Sequence, residues 1–267
     1  IIEIRNNSKS NLKHIVFEEP RYKEIPENIS KSKELSCIYW AVKLCTNQEI
    51  DAIVTAPVDK HLIAEKYPDF SGHTGFLKEI LNANNVLMLM TTPSLKVGIM
   101  TEHLPLNQVS RNISKEKIIN SVKLLHDYLI VNKQNPSIGV LALNPHAGDS
   151  GLLGTEELEV IIPAIKELKD MNISVDGPIP ADSAFISPIK DKYDAFLAMY
   201  HDQGMIPVKM KGFDNLVNTT LGLPIIRTSP GHGVAYEAKN KGTASASSMI
   251  KAVNQAIDMV LLKRISA

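Results

Sequence analysis

Short apolar runs bounded by turn residues alternate along this chain with amphipathic segments of helical period. That alternation restricts the fold more than any other feature of the sequence. "DAIVTAP" (51–57), "NVLMLMTT" (85–92), "KVGIMTEH" (96–103), "SIGVLALNPHAG" (137–148) and "YDAFLAMYHDQG" (193–204) read as strands. Their lengths and flanking turn residues disfavour short buried helices. The segment 114–133 repeats apolar residues at Ile118, Ile119, Val122, Leu125 and Leu129 behind Ser114, a suitable helix N-cap. The segment 155–172 opens with Thr155 and two glutamates, the charge that a helix N-terminus prefers, and 244–266 reads as a long closing helix. No internal repeat, low-complexity tract or linker interrupts the pattern. It predicts α/β layers around a largely parallel sheet.

Composition narrows the partners. Lys plus Arg and Asp plus Glu number 29 each in 267 residues, so no basic field is available to hold nucleic acid or an anionic membrane. Attraction for an anion must then be local. The longest apolar runs, such as "VLMLM" (86–90), fall well short of the ~20 residues that span a bilayer. Cys37 and Cys45 sit in one helical pattern, which favours two buried thiols over a disulfide. With no secretory signal at the front, the expected compartment is the cytoplasm. The first residue is Ile and not Met, which leads us to expect that an N-terminal piece is absent.

Sheets of this kind place their chemistry just beyond the carboxyl ends of the strands. His103, His146 and His201 each follow a predicted strand directly, in "TEHLPL", "NPHAGDSG" and "MYHDQG". Three imidazoles suit a transition metal and leave coordination positions for water or substrate, although a single strand-end His is more often a hydrogen-bonded structural residue. Asp202 and Asp149 read either as acceptors that orient an imidazole or as turn residues, and Asp149, before Ser-Gly, as a turn. Ser71-Gly72-His73-Thr74 precedes a helical run, where it would cap the helix or receive an anion; capping is favoured. Lys209 and Arg227 flank apolar strand-like segments, each as an edge residue or a phosphate clamp, and spacing leaves both open. "GDSGLLG" (148–154) has the wrong spacing for a dinucleotide fingerprint, so an ordinary Rossmann site is not supported.

Six blocks in order, "SGHTGFL", "TEHLPL", "LNPHAGDSGLLGTEE", "GPIPADSAF", "MYHDQGMIPVK" and "VNTTLGLPIIRTSPGHGVAYE", resemble the 4-hydroxythreonine-4-phosphate dehydrogenase family of vitamin B6 biosynthesis. The resemblance runs from about residue 50 to the C-terminus. It implies an isocitrate/isopropylmalate dehydrogenase-like α/β fold with two domains around a cleft, here 1–98 with 212–267 and 99–211. It implies NAD or NADP, one divalent metal (Zn, Mg or Co) per site, and a homodimer with the site at the interface. His103, His146 and His201 match the family's metal ligands. His73, Thr74, Lys209, Asn218 and Arg227 match its contacts to a phosphorylated substrate, with Lys209 a candidate catalytic group. His232, Gly233 and Glu237 fall in a segment that looks like the superfamily's adenine-nucleotide loop. There Val234 replaces a hydroxyl residue, Glu237 an Asp, and Lys239-Asn240 an Ala-Gly. The family's Gly-Asp-Pro-Ala-Gly-Ile-Gly-Pro-Glu block does not occur in the sequence, which the reading attributes to the missing front. The implied reaction is oxidation of 4-phosphohydroxy-L-threonine at C3 with loss of carbon dioxide. The alternatives are a dehydrogenase for 4-phospho-D-threonate or -erythronate, a non-catalytic relative that binds metal or phosphate ligands, and a metallohydrolase.

Overall fold

A computed structural model describes residues 2–5, 14–17, 19–234, 236–243 and 245–266. A small antiparallel ribbon pairs β1 (Ile2–Arg5) with β2 (His14–Phe17). The body is one eight-stranded sheet. Its strands are β3 (Ala52–Val54), β4 (Leu87–Thr92), β5 (Leu95–Thr101), β6 (Ile138–Leu141), β7 (Val175–Ile179), β8 (Ala195–Tyr200), β9 (Val217–Leu221) and β10 (Ile226–Pro230). They lie in the order β3-β10-β9-β4-β5-β8-β6-β7.

The expected strands are present, but the sheet is not largely parallel. β5, β8, β6 and β7 are parallel neighbours, as are β3 and β10, while β10/β9, β9/β4 and β4/β5 are antiparallel. For the pairs β4/β5 and β9/β10 the reason is connection length. Only Pro93 and Ser94 separate β4 from β5, and 222–225 separate β9 from β10, and links so short can join only antiparallel neighbours. Position 98 of the expected domain division falls inside β5.

Both faces of the central strands are covered, which explains their unbroken apolar runs. Leu197 and Met199 of β8 pack with Ile118, Val122 and Leu125 of the helix Lys115–Ile130. Phe196 and Ala198 pack on the opposite side with Met205 and Val208 of the helix His201–Gly212. A third cluster joins Leu35, Ile38 and Val42 of the helix Lys33–Thr46 to Ile53, Phe76 and Leu77. Cys37 and Cys45 are both free in that helix; Cys45 is buried and Cys37 half-buried. Ser114 caps its helix as expected, accepting from the Lys117 N–H at 3.3 Å. Among the described residues no helix is long and apolar enough to cross a membrane.

Candidate active site

Where β5 and β8 end side by side, a cleft of about 730 Å³ opens, reaching β9, β10 and the helix His73–Ile80. The parallel register sets Thr101 opposite Tyr200, so the residues that follow emerge level with each other. His103 lies just past β5 and His201 begins the helix after β8; their ring centroids are 5.4 Å apart, inclined at 40°. Asp202 Oδ1 stands 2.7 Å from His201 Nδ1, which leaves Nε2 as the ring nitrogen available to a ligand. Burial lowers the His103 pKa, reinforced by the charges of Lys60 and His201, and favours the neutral ring that a metal requires.

Behind His201 the chain is fixed by Gln203. Its side chain is buried, accepts from the Met199 N–H at 2.7 Å and donates to the Ala142 carbonyl at 2.7 Å, which locks the end of β8 to the end of β6. A Cβ on Gly204 would lie 3.0 Å from Val97 Cγ1 and 3.1 Å from Ala198 Cβ, so the small residue lets the helix start close over the sheet. In "HDQG", then, the first two residues face outward chemistry and the last two fasten the turn.

His146 does not line this cleft. It is exposed, on the loop after β6, one strand beyond β8. Among the described residues no group of three or more His, Cys, Asp and Glu could hold a metal ion, so the three imidazoles expected to meet do not meet within one chain. The loop has an unusual backbone: His146, Ala147, Gly148, Asp149 and Ser150 all have positive φ. For non-glycine residues such a conformation costs roughly 1–2 kcal/mol each. Asp149 is accordingly part of the turn, as the sequence indicated. The two glutamates stand at the helix start, as expected, and also brace the loop before it. Glu157, almost wholly buried at the start of a π-helical turn, accepts from the Leu143 and Asn144 N–H groups at 2.9 and 2.7 Å and from Asn144 Nδ2 at 2.9 Å. Glu156 accepts from Asn144 Nδ2 at 2.8 Å and from Ser110 Oγ at 2.5 Å.

The lining of the cleft is predominantly cationic. Lys60, Lys78, Lys117, Lys209 and Arg227 line it, whereas Glu102 is the one carboxylate among the lining residues. Arg227 lies within β10, 2% exposed; its Nε and Nη2 donate to Thr55 Oγ1 at 3.1 and 2.7 Å, and Nη1 to Thr220 Oγ1 at 3.0 Å. Burial pulls its pKa down to about 10, partly offset by Glu102, so it stays charged at neutral pH. Its hydrogen bonds are to neutral hydroxyls, and an anion in the cleft would supply the missing countercharge. Burial pushes the Glu102 carboxyl up against the pull of Arg227 and Lys60.

His73 and Thr74 open the helix His73–Ile80 on the cleft wall, and Asn218 lies on β9. His73 Nε2 and Asn218 Oδ1 are buried without a protein partner, as expected of groups that await a ligand. Burial, then the charges of Arg227 and Lys60, lower His73 to about 3, so its ring is neutral. The favoured capping role of Ser71 is not found: the N-cap is Gly72, with φ of 119° and no side-chain cap. That backbone brings Lys60 against the loop, where a Cβ on Gly72 would meet Lys60 Nζ at 3.3 Å. Lys209 lies on the helix His201–Gly212, not on a strand edge. His232 and Gly233 line the cleft where β10 ends, whereas the Glu237 side chain lies outside the described residues. Sequence reasoning does not single out Thr55, Lys60 or Glu102; Thr55 and Glu102 follow strands directly, and Lys60 opens a short helix.

Comparison with known proteins gives this geometry a context. Residues 5–256 match the model of the family described as pyridoxal phosphate biosynthetic protein PdxA. The chain belongs to the PdxA family. It is 43% identical over 245 residues to the 4-hydroxythreonine-4-phosphate dehydrogenase of Sulfurihydrogenibium, covering 88% of this chain and 74% of that protein. To the enzyme of that name from Colwellia psychrerythraea it is 45% identical over 213 residues, covering 79% of this chain and 65% of the relative. The crystal structure of 4-hydroxythreonine-4-phosphate dehydrogenase from Klebsiella pneumoniae superposes with a TM-score of 0.76 at 33% identity, over 89% of this chain and 73% of that one. A terephthalate 1,2-cis-dihydrodiol dehydrogenase from Burkholderia xenovorans, at 23% identity and a TM-score of 0.66 over 86% of this chain and 73% of its own, shares the fold. The named relatives place the chain among oxidoreductases.

Proposed function

We propose that this PdxA chain oxidises 4-phosphohydroxy-L-threonine at C3 with NAD or NADP and releases carbon dioxide and 3-amino-2-oxopropyl phosphate. The observation that carries the reading is one cleft that holds a buried Arg227, hydrogen-bonded only to neutral hydroxyls, together with the paired rings of His103 and His201. Such a cleft suits a small molecule that bears a phosphate and, a few bonds away, an alcohol. Arg227, held in orientation by Thr55 and Thr220, with Lys60 and Lys209, would bind the phosphate; His73, Thr74 and Asn218 would hold the polar groups between.

His103 and His201 supply two ligand positions for a divalent metal, and exposed His146 of a second copy would supply the third. A cation held there contributes Lewis acidity at the alcohol and at the ketone formed from it. A nicotinamide held by the His232-Gly233 segment would accept the C3 hydrogen with its electron pair, and the hydroxyl proton would leave for solvent or a base. The β-keto acid then loses its carboxylate as carbon dioxide, and the resulting enol takes a proton at C2. Lys209, on the cleft wall, is assigned to substrate binding and to that proton. His232 and Gly233 are assigned to the nucleotide.

A homodimer follows from the same reading. Leu152, Leu153 and Leu158 beside the His146 loop, and Leu106, Ile206 and Met210 beside the paired rings, are exposed apolar side chains of the kind that an interface covers. The decisive assay incubates the purified chain with a divalent metal, NAD or NADP, and a panel of 4-phosphohydroxy-L-threonine, 4-phospho-D-threonate and 4-phospho-D-erythronate. Reduced cofactor with 3-amino-2-oxopropyl phosphate from the first compound supports the proposal. Turnover of the other two alone would reassign the substrate, and phosphate release without cofactor reduction would make the chain a hydrolase.

A further inference from the structure

Glu157 takes no part in the cleft, yet among the described residues it is the most completely buried carboxylate, at 1% exposure. No Lys or Arg pairs with it among the described residues; its partners are the Leu143 and Asn144 N–H groups and the Asn144 amide. These groups enter the left-handed loop that carries His146. The middle of the loop also lies close against the carboxylate: a Cβ on Gly148 would lie 2.7 Å from Glu157 Oε2 and 3.1 Å from the Gly154 carbonyl. Glu156 fixes the same Asn144 amide to Ser110, on the helix Leu106–Asn112 that follows His103. The carboxylate thus braces the entry and the middle of a turn whose residues would not otherwise hold a positive φ.

We propose that Glu157 is a positioning residue, which acts through the 144–151 loop to hold His146 outward in the orientation that a metal shared between two copies requires. The inference rests on the reading of His146 as a ligand. It assigns to Glu157 no contact with metal or substrate. The carboxylate matters because its two oxygens accept three hydrogen bonds at once; a glutamine would turn one acceptor into a donor facing the Asn144 amide or a backbone N–H.

The test is a double-mutant cycle on the full chain, read by the visible absorption of bound Co²⁺ and independent of turnover. Glu157→Gln is expected to weaken Co²⁺ binding about tenfold, the scale on which supporting partners of metal ligands act. In a His146→Ala background, the same change is expected to leave the weaker residual affinity unaltered. Equal weakening in both backgrounds, or unaltered affinity in the otherwise native chain, would reduce Glu157 to a structural residue and overturn the proposal. If His146→Ala by itself leaves Co²⁺ affinity intact, the ligand reading fails first and takes this inference with it, so the two failures are told apart. Should Glu157→Gln fail to fold, Gly148→Ala strains the same contact from the loop side, and the same outcomes decide.

Discussion

At the scale of single residues, the cleft is built from groups held in awkward states. Arg227 is fixed in a buried fork by two threonines, and Arg227→Lys keeps the charge but loses that geometry. KM for the phosphorylated substrate should rise roughly tenfold or more, the worth of a charged hydrogen bond, with kcat changed less. An unchanged KM in steady-state kinetics would remove Arg227 from the site. His73 is held neutral, with its pKa depressed from 6.5 to about 3. Below pH 6.5 the unfolded chain takes up a proton at this ring that the folded chain refuses, so its contribution to stability is present above pH 6.5 and is lost as pH falls toward 3. Between pH 7 and 5 that loss is roughly 2 kcal/mol. Urea unfolding at both pH values should show His73→Gln losing less stability than the native chain by about that amount. Identical pH slopes would mean that the ring is not held neutral.

At the scale of elements, the ends of β5, β8 and β6 act as a unit because Gln203 ties the last two together. Gln203→Ala leaves the Met199 N–H and the Ala142 carbonyl without their buried partner, at a cost of roughly 1–3 kcal/mol each. Chemical denaturation should register the loss, whereas His201→Ala, at the outward end of the same turn, should abolish metal-dependent turnover with little change in stability. A stable Gln203→Ala variant would show that the strand ends are held by packing alone. The helix His201–Gly212 also explains why one motif supplies both sides of the cleft. It starts at the imidazole and carries Lys209 two turns later along the same wall.

At the scale of the whole molecule, the separation of His146 from the other two imidazoles has a direct consequence. If the site is shared, a mixture of His146→Ala and His201→Ala chains forms heterodimers that each hold one intact site, and refolding them together should restore roughly a quarter of native activity. Two separately inactive variants that stay inactive when mixed would refute the shared site. Light scattering that gives a monomer under active conditions would do the same.

Much of this was legible before any coordinates. The apolar runs located β3 to β6 and β8, because a strand buried on both faces has to be apolar along its length. The periodic segment behind Ser114 located its helix, because capping and amphipathicity act within a few residues. The strand-end histidines and the family resemblance pointed to His73, His103, His201, Asn218 and Arg227, which one cleft does gather. Pairing direction, the burial of Arg227 between Thr55 and Thr220, and the service of Glu157 to a loop some ten residues earlier were not legible. Each depends on partners brought together only by the folded sheet, and no local propensity encodes them.

The sequence by itself determined the central strands, the long amphipathic helices, and which side chains are suited to metal and phosphate, since those properties reside in short windows of residues. The tertiary structure alone decided which of them meet. Parallel register sets His103 beside His201, whereas β6, one strand further along the sheet, turns His146 out to the surface. Distance in space, unlike periodicity, is a property of the whole chain.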